Sequence, residues 1–166
     1  MKNTHFTVYC DSDGVIADFP KKILEITGKD IKDLNKKTLW ESVSNYNKNV
    51  SPFYESLDTM EDADELLSFL EANFEHVKIL TAAGYTPSNA REQKLEWFKK
   101  HYPNLDVIVV DKGVQKAQYA HSSAILIDDT AKCIDPFREA GGIGILHSDA
   151  KSTIEQLNTI LNEKTL

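Results

Sequence analysis

The chain has 166 residues, with 19 Lys and Arg against 26 Asp and Glu, for a formal net charge of −7. That length suits one domain with a real core, and the acidic balance argues against a duplex nucleic-acid binder, which needs clustered cations to displace phosphate counterions. With 41% hydrophobic and 27% charged residues the chain is expected to fold, and no apolar run approaches the roughly 20 residues of a membrane helix.

In chain order, the first strand signal is residues 5–10, which the N-terminus enters directly, without the apolar region and cleavage site of a signal peptide. The expected location is therefore cytoplasmic. A helical stretch, Phe19–Thr27, follows, then a Lys/Asn-rich stretch carrying Trp40, Tyr46, Phe53 and Tyr54. Residues 62–73 set Ala63, Leu66, Leu67 and Leu70 at the spacing of one helix face, ahead of a strand over 77–80. Thr86-Pro87 reads as an N-cap and first helical position for a helix over 87–101, with Leu95 and Phe98 on one side. Strands over 107–110, 124–127 and Ile143–Leu146 alternate with helices over 130–140, stopped by Gly141-Gly142, and 152–162. Cys10 and Cys133 lack metal-ligand or disulfide spacing and are expected to be reduced buried thiols.

This alternation of nearly continuous apolar strands with helices predicts an α/β fold, a Rossmann-like parallel sheet with helices on both faces. A crossover helix does not need the sixty or so residues between Cys10 and Val77. Residues 18–58 are therefore expected to be a small, mostly helical cap inserted after the first strand, with 1–17 and 59–166 forming the core.

Ligands of open α/β sheets collect beyond the carboxyl ends of the strands. There the first strand runs into Asp11-Ser12-Asp13-Gly14-Val15, the second into Thr81-Ala82-Ala83-Gly84 and the fourth into Asp128-Asp129. Carboxylates packed together raise one another's pKa and call for a cation. Oxygen-only ligands favour a hard ion, and Mg²⁺ suits this supply.

These segments, with a lysine in Lys116-Ala117-Gln118-Tyr119-Ala120, resemble the four motifs of the haloacid dehalogenase superfamily in its phosphatase branch, over nearly the whole chain. The resemblance implies two-step phosphoryl transfer. Asp11 would be the nucleophile that forms an aspartyl-phosphate, and Asp13 the acid for the leaving oxygen and then the base for water. An Asp at position 13 favours a phosphatase over mutase or dehalogenase chemistry. Mg²⁺ would be held by Asp11, the Asp13 carbonyl and Asp128 or Asp129. Thr81 would donate to a phosphoryl oxygen, and Lys116 or Lys112 would supply positive charge, Lys116 matching the family position better.

Within the superfamily the chain resembles most the 5′(3′)-deoxyribonucleotidases, through the run from Asp11 to Phe19, Leu39-Trp40-Glu41-Ser42 and Phe53-Tyr54, and Glu92-Gln93-Lys94-Leu95-Glu96-Trp97. That resemblance implies a base-stacking pocket of Phe19, Trp40 and Phe53 or Tyr54, with Lys94 reaching the substrate phosphate. Stacking contributes roughly 1–3 kcal/mol per base. Ala82 departs from the pattern, since relatives often carry a hydrogen-bonding residue there; one phosphate contact would be either missing or supplied by backbone N–H groups.

The implied activity is Mg²⁺-dependent hydrolysis of nucleoside monophosphates, pyrimidine deoxyribonucleotides favoured, with no nucleic-acid polymer or membrane as partner and a homodimer as the assembly. The alternatives are a phosphatase for a sugar phosphate or phosphoglycolate, and a non-catalytic binding protein on the same fold. The five histidines show no ligand spacing, although His147, at the end of the last strand, falls near the rim.

Overall fold

The computed structural model describes residues 1–163, so the last three residues of the expected core lie outside the described residues. The five apolar runs become β1 (Asn3–Cys10), β2 (Phe74–Ala82), β3 (Asp106–Val110), β4 (Ala124–Asp128) and β5 (Ile143–Leu146). They pair in parallel in the order β3-β2-β1-β4-β5. The helices are α1 (Phe19–Thr27), α2 (Lys36–Asn49), α3 (Ala63–Asn73), α4 (Ala90–His101), α5 (Ala131–Glu139) and α6 (Ala150–Glu163), with short 3₁₀ segments at Ile31–Asp33, Tyr54–Ser56 and Gly113–Tyr119. None of the described helices is long and apolar enough to cross a membrane.

Side-chain alternation along the strands divides the interior in two. Val8, Cys10, Ile79, Ile125 and Ile127 point into one cluster with residues of α3, α4 and α6, while Tyr9, Leu80, Leu126 and Val110 meet Cys133, Ile134 and Phe137 of α5 on the other face. Both cysteines are buried free thiols. The segment expected as a cap folds into α1, α2 and two 3₁₀ turns. Asp18 caps α1 by accepting from the Lys21 N–H at 3.1 Å, and Asn35 caps α2 by accepting from the Thr38 N–H at 2.8 Å. Phe19, Ile23, Val43 and Phe53 of this segment join the first cluster rather than forming a core of their own.

Two expectations about α4 need correction. The Thr86-Pro87 peptide is cis and the helix begins at Ala90, after a turn closed by the Ala90 N–H on the Pro87 carbonyl at 3.0 Å. Leu95 is 41% exposed, because the buried face of the helix is Ala90, Gln93, Lys94, Trp97 and Phe98. The two polar residues of that face have partners inside the protein, so an apolar pattern alone misses them.

Chain order reverses between β1 and β4: β2 and β3 lie to one side, β5 to the other. This switch point opens a crevice beyond the carboxyl ends of two adjacent strands, one followed by Asp11 and the other ending in Asp128.

The α4 face gives a direct test by urea unfolding. Phe98→Ala is expected to lower stability by about 3–5 kcal/mol, the usual cost of emptying a buried aromatic site. Leu95→Ala is expected to change it by no more than about 0.5 kcal/mol. Equal losses would contradict the helix orientation.

Candidate active site

The crevice is a cleft of about 350 Å³. Its floor carries Asp11, Asp13, Thr81, Lys116, Asp128 and Asp129, and its opposite wall is formed by Phe19, Ile31, Leu39 and Trp40. Floor and wall come from different parts of the chain. Strand ends supply the polar groups, and α1, α2 and the first 3₁₀ turn supply the apolar ones.

Lys116 is only 2% exposed and sits between two carboxylates, 2.8 Å from Asp11 Oδ1 and 2.7 Å from Asp128 Oδ2. Burial alone pulls its pKa down, but the charges of Asp11 and Asp128 outweigh that effect and raise it, so the ammonium stays protonated. Asp128 Oδ1 accepts from both the N–H and the hydroxyl of Thr130, each at 3.0 Å. Burial, and then the charge of Asp11, push the Asp128 carboxyl upward. Lys112, the other candidate lysine, lies outside this floor on the wall of a neighbouring cavity.

Lys94 is likewise 2% exposed, and it donates to Asp13 Oδ2 at 2.6 Å and to Thr81 Oγ1 at 3.0 Å, with its Nζ 4.4 Å from the centre of the Tyr54 ring. It stands behind Asp13 instead of on the cleft wall where contact with a substrate phosphate was expected. The Thr81 oxygen accepts from Lys94, so its own hydrogen is free to donate into the cleft. Asp13 Oδ1 is buried without a hydrogen-bond partner. Burial raises the pKa of this carboxyl against the opposing pull of Lys94, which suits a group that gives up and takes back a proton.

Oxygens of Asp11, Asp128 and Asp129 all lie within 4.8 Å of one another, an all-oxygen set that can hold a hard divalent cation. The charge balance agrees. Four carboxylates share two ammonium groups, Lys94 and Lys116, leaving two negative charges uncompensated. Without a cation that excess is relieved by protonation: desolvation, and then the charges of Asp11 and Asp128, push Asp129 up to about 8, although its side chain reaches the cleft mouth. Gly14, at φ 81°, brings the backbone against the Asp129 carboxylate where a Cβ would collide with it.

The aromatic residues divide. Phe19 and Trp40 line the cleft with ring centroids 6.1 Å apart. Phe53, expected beside them, is fully buried and packs edge-on against Phe19 from behind, at 5.5 Å. Tyr54 stacks on Phe19 at 6.2 Å and faces the neighbouring cavity. Ala82 lines both spaces. Gln93 and Thr130 were missed from sequence. Gln93 accepts from the Tyr54 N–H at 2.8 Å and donates to Asn47 Oδ1 at 2.7 Å, tying the segment between β1 and α3 to α4. Its place beside Lys94 was the available signal, as was that of Thr130 after Asp128-Asp129. His147 lines no part of the cleft; it is buried, with Nδ1 2.7 Å from Thr153 Oγ1, and burial pushes its pKa down.

The model of the family described as 5′ nucleotidase, deoxy (pyrimidine), cytosolic type C protein matches residues 5–157. Among solved structures, the chain is similar to a hydrolase from Pseudomonas syringae, with 16% identity over 93% of this chain and 99% of that one and a TM-score of 0.50. It is also similar to a HAD family hydrolase from Deinococcus radiodurans R1 with bound phosphate and sodium (14% identity, 86% and 80% coverage, TM-score 0.53). A third is YfnB from Bacillus subtilis, described as a HAD-hydrolase bound to magnesium (14% identity, 86% of each chain, TM-score 0.51). At these identities the likeness concerns the fold. Comparison with curated proteins gave no match.

Removing the shared cation isolates its contribution. Lys116→Met leaves Asp11 and Asp128 facing each other unpaired and is expected to cost about 3–5 kcal/mol in urea unfolding, part of it recovered in Lys116→Met/Asp128→Asn. A single variant as stable as the parent would show that this lysine does not hold the two carboxylates. His147 gives a pH test. An unfolded histidine takes up a proton near about 6.5, and folded His147 resists until lower pH, so in between the unfolded state binds more protons and stability falls as pH drops. Between about pH 7.5 and about pH 5, the urea midpoint of His147→Gln is expected to fall less steeply than that of the parent. Parallel profiles would show that this imidazole does not titrate there.

Proposed function

The chain belongs to the family of cytosolic type C deoxy (pyrimidine) 5′ nucleotidases, and from that premise we propose that it is a phosphatase of the haloacid dehalogenase superfamily whose cleft hydrolyses nucleoside monophosphates, pyrimidine deoxyribonucleotides foremost, through an aspartyl-phosphate. The observation that carries the reading is the pairing, within one cleft of about 350 Å³, of a floor of carboxylates, Thr81 and Lys116 with a wall that carries the rings of Phe19 and Trp40. Residues 18–58 act as the cap that supplies this wall.

In this reading Asp11 attacks phosphorus, and the bond to the leaving ester oxygen breaks as Asp13 delivers its proton there, freeing the nucleoside. Asp13, now a carboxylate, takes a proton from water, whose oxygen attacks the phosphorus of the aspartyl-phosphate. Inorganic phosphate leaves and Asp11 is regenerated. Lys94 holds Asp13 in place through the 2.6 Å contact at Oδ2, which leaves the unpartnered Oδ1 as the oxygen that carries the proton. Thr81 donates to a phosphoryl oxygen, and Lys116 fixes the direction of the Asp11 carboxylate while offsetting charge as phosphate arrives. Phe19 and Trp40 take the base between them and the floor.

A divalent cation, Mg²⁺ in this reading, would supply positive charge beside the phosphate, letting an anionic nucleophile approach an anionic substrate. Asp11, the Asp13 carbonyl and Asp129 would hold it. Asp128 is the poorer direct ligand, because both of its oxygens are already engaged by Lys116 and Thr130.

Phosphate release from dUMP, dTMP, UMP, glucose 6-phosphate and phosphoglycolate, with Mg²⁺ and with EDTA, tests this reading. Mg²⁺-dependent release favouring dUMP and dTMP is expected, whereas faster turnover of either non-nucleotide would overturn the substrate assignment. Asp11→Asn is expected to lose turnover by about a thousandfold or more with its unfolding midpoint nearly intact, since Lys116 keeps Asp128 as a partner and the floor's excess negative charge falls as the nucleophile is removed. A near-normal rate would exclude the covalent route.

A further inference from the structure

A second cavity, of about 690 Å³, opens beside the cleft and shares Asp13, Trp40 and Ala82 with it. Its wall carries three lysines from three separate elements: Lys36 in the first turn of α2, Lys112 in the loop after β3 and Lys132 in the first turn of α5. Among the described residues none of the three is paired with a carboxylate. Two carboxylates also line this cavity, and each is engaged by another cation, Asp13 by Lys94 at 2.6 Å and Asp111 by Arg91 at 3.3 Å.

Such an arrangement is unexpected in a chain of net charge −7. Lys36 and Lys132 lie near enough for the charge of Lys132 to pull the pKa of Lys36 down. Like charges repel in the free protein, and each sits where the N-terminal end of a helix adds partial positive charge of its own. An anion between them turns both effects into attraction. A base or sugar offers no such charge, and the phosphate over Asp11 belongs to the other cleft.

We propose that this cavity receives a second phosphate of the same substrate, so that the preferred substrate is a nucleoside 3′,5′-bisphosphate with one phosphate over Asp11 and the other among Lys36, Lys112 and Lys132. The proposal rests on the phosphatase reading of the first cleft. It adds to that reading a charge on the far side of the sugar. Trp40 and Ala82, on the border of the two spaces, flank the sugar and base that join the two phosphates.

The test compares thymidine 3′,5′-bisphosphate with dTMP in the parent and in Lys36→Gln/Lys132→Gln, a substitution that removes mutual repulsion and leaves the Asp11 floor untouched. In the parent at low salt, kcat/KM for the bisphosphate is expected to exceed that for dTMP by about tenfold, mainly through KM, and the gap to narrow as KCl is added. In the double variant the ratio is expected to fall to near one, with dTMP turnover unchanged. A ratio near one in the parent, or a preference that survives in the variant, overturns the proposal. So does a stronger preference for a 3′-phosphorylated oligonucleotide than for the bisphosphate, which would make the lysines a contact for a polymer. Calorimetry with both nucleotides in EDTA separates the two readings. If neither nucleotide is hydrolysed, tighter bisphosphate binding that disappears in the double variant keeps the second-phosphate site and rejects only the hydrolase substrate assignment. Equal binding of the two rejects the site.

Discussion

Lys116 is the buried cation that holds the carboxyl ends of β1 and β4 together, bonded to Asp11 after β1 and to Asp128 at the end of β4. Without it, two carboxylates would face each other in a nearly dry floor, a juxtaposition that proteins resolve by protonation or by moving apart. Much of the neighbouring structure keeps the lysine there. Gly113, at the start of its 3₁₀ segment, leaves room for the Cys133 sulfur, where a Cβ would come within 2.7 Å of Sγ. Thr130, just before α5, occupies the second oxygen of Asp128 and fixes the carboxylate that receives the lysine.

The same shortage of positive charge runs through the rest of the floor. Lys94, from α4, neutralises Asp13 and orients Thr81, which leaves Asp11, Asp128 and Asp129 with a single ammonium among them. Folding energy alone would not select such a cluster, since a better-compensated floor would be more stable. Its excess negative charge is the property that would hold a divalent cation. Stability and chemistry pull in opposite directions here, and the two buried lysines set how far the conflict goes.

The aromatic wall depends on packing rather than charge. Phe19 is its hub, touching Trp40, Phe53 and Tyr54, and its own helix is capped by Asp18, seven residues after Asp11. Gln93 ties the far end of the segment between β1 and α3 to the helix that delivers Lys94. The wall and the floor are therefore connected through α4. Because the segment's apolar residues belong to the main cluster, the position of Trp40 follows from the same core that sets the sheet.

The parallel sheet was legible in the sequence because buried strands read as apolar runs at crossover spacing, and α1 ran over the residues its pattern marks, Phe19–Thr27. The floor was legible too, since Asp11, Asp13, Thr81 and Asp128-Asp129 each lie at or just beyond the carboxyl end of a strand, and strand ends converge on one rim whatever the loops do. Side-chain direction was not legible. Of the two candidate lysines the resemblance favours Lys116 over Lys112, but periodicity and spacing do not say which is buried; the turn of the 3₁₀ segment buries Lys116 and leaves Lys112 on a second cavity. Leu95, expected beside Phe98, is exposed, and Lys94, expected at a substrate phosphate, is buried behind the cleft because Asp13 and Thr81 supply the partners that let an ammonium be buried there. Phe53 and Trp40 are both aromatic residues of one segment, yet the packing against Phe19 puts the first behind the wall and the second on it. Sequence by itself determined the element types, their order and the chemistry available at the strand ends, because local periodicity and position encode these. Tertiary structure alone decided which lysine is buried, which ring faces the cleft and which cations are left without a partner, because each depends on neighbours that are distant in the chain.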